Sequence, residues 1–257
     1  MKILFVGDVF SKLGRETFER NLRRIKENEK INFVIANGEN VSHGKGMNEG
    51  HYKWFLNQGV NVITLGNHSF QQRSIYNFID DVNNVVRPYN YNDVAGKGYA
   101  TINYNGIKIT VFQMIGRVLM DESVSSPFEK TKELLENVES DIYICDFHAE
   151  TTSEKIAYGY AFDGKLTAVL GTHTHVQTRD ARILDNGTAF ITDVGMTGPL
   201  DGVIGVDKTI IVDRYVNNGK HRFEPQEAGK TQFCAVILEI NDLTKKATKI
   251  DTIYVIE

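Results

Sequence analysis

Five short apolar runs along this chain each hand over to Asp, Glu, Asn or His. Lys2–Gly7 ends at Asp8, and Phe33–Ala36 at Asn37-Gly38-Glu39-Asn40. Val60–Leu65 runs into Gly66-Asn67-His68-Ser69, Asp141–Phe147 into His148, and Leu166–Leu170 into Gly171-Thr172-His173-Thr174-His175. Short apolar runs bounded in this way read as buried strands. Between the first three lie helical patterns: Phe18, Leu22 and Ile25 within Gly14–Glu29, then Met47, Tyr52, Trp54, Phe55 and Leu56 ahead of Gln58-Gly59. The β-α-β-α-β order predicts a parallel sheet with helical crossovers. A further helix is expected to carry Ile75, Phe78, Ile79 and Val82.

The middle of the chain changes character. Asn105-Gly106 between Tyr99–Tyr104 and Ile107–Met114 is a hairpin signal, as is Asp185-Asn186-Gly187 between Arg182–Leu184 and Thr188–Thr192. Ser126-Pro127-Phe128-Glu129 has the residues of a helix start, with Ser at the cap, Pro in the first turn and Glu behind it. Ser153–Phe162 reads as a short helix, and Phe233–Ile240 with Ala247–Ile256 as a final antiparallel pair. Mixed strands in this number predict an α/β protein with two facing mixed β-sheets flanked by helices. No linker or repeat divides residues 1–257, so a single domain is expected. The glycine-rich stretch 194–206 is expected to be a cap or lid.

Hydrophobic residues at 41% and charged residues at 24% exclude a disordered or fibrous chain. With 29 Lys+Arg against 33 Asp+Glu the net charge is -4, so no strong overall basic field exists to hold nucleic acid. Cys145 and Cys234 are too few for a disulfide framework or a thiolate zinc site. Neither a signal peptide nor a membrane span is evident, and the expectation is a soluble cytoplasmic protein.

In open α/β sheets the carboxyl ends of strands form the ligand crevice. Asp8, Glu39, Asn40, Asn67, His68, His148, His173 and His175 are all expected there. Carboxylates, amide carbonyls and neutral imidazoles suit iron, manganese or zinc. Two such ions about 3.5–4 Å apart, bridged by a carboxylate such as Glu39, can activate water and brace a phosphate. Spacing alone leaves open whether His173 and His175 serve one ion or two. Each residue taken singly has an ordinary structural reading. Asp8 could cap a helix, Asn67 could sit in a turn, and His148 could be a bonded core residue. Five matching strand ends make the ordered set the stronger signal. His43 and Lys45, in the loop Ser42-His43-Gly44-Lys45-Gly46-Met47, and His51 and His221 elsewhere, are expected at the surface.

Gly7-Asp8, Gly38-Glu39-Asn40, Gly66-Asn67-His68, His148 and His173-Thr174-His175, in that order, resemble the calcineurin-like metallophosphoesterases. Phe10 stands where that family usually has a histidine, Glu39 replaces the bridging Asp, and Ser69 replaces an acidic residue. These departures resemble the YmdB branch of the superfamily. The resemblance implies an αββα sandwich and a two-metal phosphodiesterase, with iron or manganese, acting on small cyclic nucleotides. It implies Asp8, Glu39, Asn40 and His175 around one ion, and Glu39, Asn67, His148 and His173 around the other. Asn40 would fill the place left by Phe10, and His68 would be the free proton donor. A phosphomonoesterase, an RNA-acting nuclease and a non-catalytic metal-bound scaffold are the alternatives. An RNA link and homo-oligomer formation stay open.

Overall fold

The structure is a computed structural model that describes residues 1–120 and 123–257. In chain order the strands are β1 Lys2–Val6, β2 Asp8–Val9, β3 Phe33–Asn37, β4 Val62–Thr64, β5 Val85–Val86, β6 Tyr99–Tyr104 and β7 Ile107–Ile115. There follow β8 Ile142–His148, β9 Ala168–Thr172, β10 Arg182–Ile183, β11 Ala189–Ile191, β12 Met196–Pro199, β13 Thr231–Ile240 and β14 Ala247–Ile256. The helices are α1 Ser11–Glu29, α2 Glu49–Asn57, α3 Pro127–Asn137, α4 Thr152–Ala161 and α5 Lys208–Asn217.

The first sheet runs β2-β12-β13-β1-β3-β4-β5, with β14 also paired to β13; the second runs β10-β11-β9-β8-β7-β6. β1, β3, β4 and β5 pair in parallel, and so do β7, β8, β9 and β11. Antiparallel partners at the flanks make both sheets mixed.

Side-chain alternation divides the core into three layers. Ile3 and Phe5 of β1, Phe33 and Ile35 of β3, Ile109 and Val111 of β7, and Ile142 and Ile144 of β8 pack between the sheets. The opposite faces of β1 and β3, through Leu4, Val6 and Val34, meet Phe18, Leu22 and Ile25 of α1 and Phe55 of α2. The outer face of β7 and β8, through Phe112, Met114, Cys145 and Phe147, meets Leu134 of α3 and Tyr158 of α4. This is the two-sheet sandwich with outer helices that the pattern predicts. Both cysteines are buried and unpaired. No helix of the described residues is long and apolar enough to cross a membrane.

The expected start of α3 is present: Pro127 opens it, and the Ser126 side chain accepts from the Glu129 amide. Two expectations need correction, and one helix went unforeseen. The helix expected over Ile75–Val82 is only a 3-10 turn, Arg73–Asn77. Ile75, Phe78 and Ile79 are buried all the same, since turns can bury the same side chains. The stretch expected as a lid contributes β12, which pairs with β2 and β13, so its first half belongs to the sheet. The unforeseen helix is α5: its apolar Ile211, Val212, Tyr215 and Val216 stand at helical spacing, yet Ile211 is its one buried residue.

Candidate metal centre

β8 delivers Asp146 and His148 to the space between the sheets, two residues apart and therefore on one face. Parallel register places His148 beside Thr172 of β9. The Thr172 hydroxyl donates to Asp146 Oδ1 at 2.6 Å, so its oxygen accepts from His148 Nδ1 at 2.8 Å. A hydroxyl has one proton to give, and this chain commits it. The donor at Nδ1 leaves Nε2 facing inward. There it meets Asn67 Oδ1 at 2.9 Å, His173 Nδ1 at 3.1 Å and Glu39 Oε1 at 3.3 Å. His173 is held from behind, its Nε2 lying 3.1 Å from Glu150 Oε2.

A second group forms on the other side of Glu39. Asp8, Glu39 and His175 bring one ligand atom each within 4.8 Å of the others, as do Glu39, His148 and His173. His175 Nδ1 donates to the Ile204 carbonyl at 2.8 Å, which leaves Nε2 for the site. The Asn40 amide nitrogen donates here, 2.9 Å from Glu39 Oε1 and 3.3 Å from Asp8 Oδ1, and lies 3.1 Å from His175 Nε2. Phe10 packs edge-on against the His175 ring, centroids 5.6 Å apart. Asp8 does not cap α1: the cap position is Phe10, which makes no side-chain cap bond.

His173 and His175 go to different groups because both adopt the left-handed backbone region, φ 99° and 66°. That conformation is uncommon for residues other than glycine. A buried ion pair behind the turn holds it. Lys155 Nζ of α4 donates to Asp193 Oδ2 and to the Thr172 carbonyl, each at 2.7 Å. The same Asp193 oxygen accepts from the Thr174 amide at 3.0 Å and its hydroxyl at 2.7 Å.

Burial opposes charge on His148, but Glu39, with Asp8 and Asp146 behind it, raises its pKa to about 9. Burial would raise Glu39, yet His148 and His68 hold it below the usual carboxylate range. Burial lifts Asp8 to about 6, against the pull of His175 and His148. Burial, reinforced by His148, pushes His173 down to about 3. Acceptor atoms thus converge on centres that need positive charge. A cation meets that need, and the oxygen and imidazole donors fit iron, manganese or zinc. His68 stands outside both groups. Its backbone amide donates to Glu39 Oε2 at 3.0 Å, and its ring Nδ1 lies 3.2 Å from the Gln71 amide nitrogen. Burial lowers its pKa, partly offset by Glu39.

The profile of the YmdB-like protein family matches residues 4–253. The chain belongs to that family. It is 46% identical over 258 residues to a Bacillus subtilis 2',3'-cyclic-nucleotide 2'-phosphodiesterase, covering 99% of this chain and 97% of the relative. A phosphatase from Mycoplasma pneumoniae superposes with a TM-score of 0.95 at 37% identity, covering 100% of this chain and 93% of that one. A hypothetical protein from Thermus thermophilus superposes at 0.94 with 35% identity, over 100% of both chains.

In this YmdB-like chain Asp8, Asn40, Asn67, His68, His148, His173 and His175 lie near one another around Glu39. His43 and Lys45 are exposed as expected. His51 is not a surface residue: it is half-buried, and burial lowers its pKa to about 4. His221 is exposed but lines the cavity above the centre. Sequence reasoning missed Asp146, Glu150, Thr172, Lys155 and Asp193, which orient the histidines. Asp146 alone left a signal, a charge inside an apolar strand run.

Gly66 is required by space. A Cβ there would lie 2.1 Å from Glu39 Oε2 and 2.7 Å from His148 Cε1. Gly66→Ala is therefore expected to displace both side chains and lower metal content by at least half. Elemental analysis checks this, and full metal content would show that the centre tolerates the shift.

Proposed function

We propose that the chain is a two-metal phosphodiesterase that hydrolyses cyclic nucleotides, 2',3'-cyclic or 3',5'-cyclic. In this reading Asp8, Glu39, Asn40 and His175 hold one cation, and Glu39, Asn67, His148 and His173 the other. The observation that carries it is a pair of buried ligand groups sharing Glu39. They lie under a cavity of about 850 Å³ lined by Glu39, Asn40, His68, His173 and His175. That volume lies within the range of about 300–1,000 Å³ that small-molecule sites occupy. The B. subtilis relative's activity supports the choice of substrate.

When bound, such ions lower the pKa of water and stabilise charge on phosphate oxygens. The chain's own residues supply the rest. Half a turn of the Asn40 amide would replace its nitrogen with its oxygen, making Asn40 a ligand where Phe10 offers none. His68 gives up a proton only as imidazolium, so in that step Nδ1–H would donate to the Gln71 side-chain oxygen once that amide turns over, and Nε2–H would face the departing oxygen. The Lys155–Asp193 pair and Glu150 keep His173 and His175 oriented.

The test is metal content of fresh protein, joined to parallel assays of 2',3'-cyclic AMP, 3',5'-cyclic AMP, an aryl phosphate monoester and single-stranded RNA. About two metals per chain and hydrolysis of a cyclic nucleotide are expected. Preference for the monoester or RNA would replace this substrate class, and full metal loading with no turnover would leave a non-catalytic scaffold.

Metal uptake should depend on pH with a defined sign. Without metal, His148 holds its proton below about pH 9, and a cation must displace it. Apparent affinity should therefore rise about tenfold per pH unit from pH 7 to 8, as one proton is released, and more steeply near pH 6, where Asp8 is also partly protonated. Competition titration of Mn²⁺ at several pH values reads this, and a flat profile would mean that His148 is not displaced.

A further inference from the structure

We propose that Phe223 and Tyr215, flanked by Arg214 and Arg222, form the nucleobase subsite of the cavity; this rests on the cyclic-nucleotide reading above. The four residues line the same cavity as Glu39 and His173. α5 and the segment after it build this wall. Ile211, Arg214 and Tyr215 all line the cavity and are spaced i, i+3, i+4, so one helix face is turned to it. Tyr215 is 83% exposed, and Phe223 is 43% exposed with Arg214 over its ring.

The wall is tied to the metal centre through the backbone. The Asp207 amide donates to the Glu224 carbonyl and the Gln226 amide to the Gly205 carbonyl, each at 2.9 Å. Val206 and Pro225 form an antiparallel bridge. Three residues before Asp207, the Ile204 carbonyl accepts from His175. Phe223 is thus anchored beside the segment that orients a proposed metal ligand.

The Arg214 guanidinium carbon lies 4.7 Å from the centroid of the Phe223 ring. An aromatic ring stiffened by a guanidinium is a stacking surface suited to the π-face of a base. Arg214, Arg222 and Lys45 also line the cavity, alongside Glu39 and Glu224, in a chain whose net charge is -4. This suits an anionic nucleotide with its phosphate at the metals and its base on the aromatic wall.

The test compares 2',3'-cyclic AMP with methyl riboside 2',3'-cyclic phosphate, which lacks a base. Phe223→Ala should shrink the KM advantage of the nucleotide about tenfold, Tyr215→Ala by a similar factor, and Phe223→Trp should restore it. Calorimetry of 3'-AMP against inorganic phosphate on metal-loaded protein gives a second readout that needs no turnover. 3'-AMP affinity should fall about tenfold in Phe223→Ala while phosphate affinity holds. If wild type cleaves cyclic nucleotides but the variants keep the full advantage and bind 3'-AMP normally, the subsite is wrong and the phosphodiesterase reading stands. If wild type cleaves none, that reading fails, and the calorimetry still decides the subsite. Loss of self-association in Phe223→Ala with unchanged 3'-AMP binding overturns the proposal and makes this face a contact between copies.

Discussion

His68→Ala should keep its metal and lose turnover by about 10²–10⁴, the range for removing a general acid. The variant deletes little that holds the centre together. The bond from His68 to Glu39 Oε2 comes from the backbone amide, which alanine retains. The imidazole meets the Gln71 amide, and neither ligand group contains it. Metal content near wild type with a collapsed kcat is therefore the expected pair of readings. A substrate whose leaving group needs no proton, such as an aryl diester, should lose much less. Wild-type kcat on a cyclic nucleotide would remove His68 from the mechanism, and loss of metal would make it a structural support of Glu39.

Lys155→Met should destabilise the protein by about 3–5 kcal/mol, the cost of leaving a buried charge without its partner. Lys155 is 1% exposed and Asp193 fully buried, with 2.7 Å between charged atoms. At about 2–4 °C per kcal/mol for a chain near this size, the melting temperature should fall by roughly 6–20 °C. Arg23→Ala, which removes an exposed i, i+4 pair with Glu27, is the control and should leave the melting temperature nearly unchanged. Lys155→Met should also weaken metal binding, because Asp193 steadies Thr174 between His173 and His175. If Lys155→Met melts like the control, the pair is not what secures this turn.

Much of the fold follows from local rules that the sequence states openly. Alternation in β1 and β3 sorts Ile3 and Phe5 from Leu4 and Val6, which gives a sheet covered on both faces. Ser126 and Pro127 start α3 by chemistry that acts within one turn. Periodicity failed where burial and backbone part company. Ile75, Phe78 and Ile79 are buried without a regular helix, and α5 is a helix with almost no buried face.

The sequence by itself determined which residues gather at the strand ends, because strand direction and a polar residue after each apolar run are both local properties. Residue spacing left open how those residues divide, and the tertiary structure supplies the physical reason. Left-handed backbone at His173 and His175 sends one imidazole to each side of Glu39. The groups that fix this arrangement come from distant segments: Asp146, Glu150, Lys155, Asp193 and the Ile204 carbonyl. A hydrogen bond or buried ion pair depends on proximity in space, which spacing along a chain does not encode.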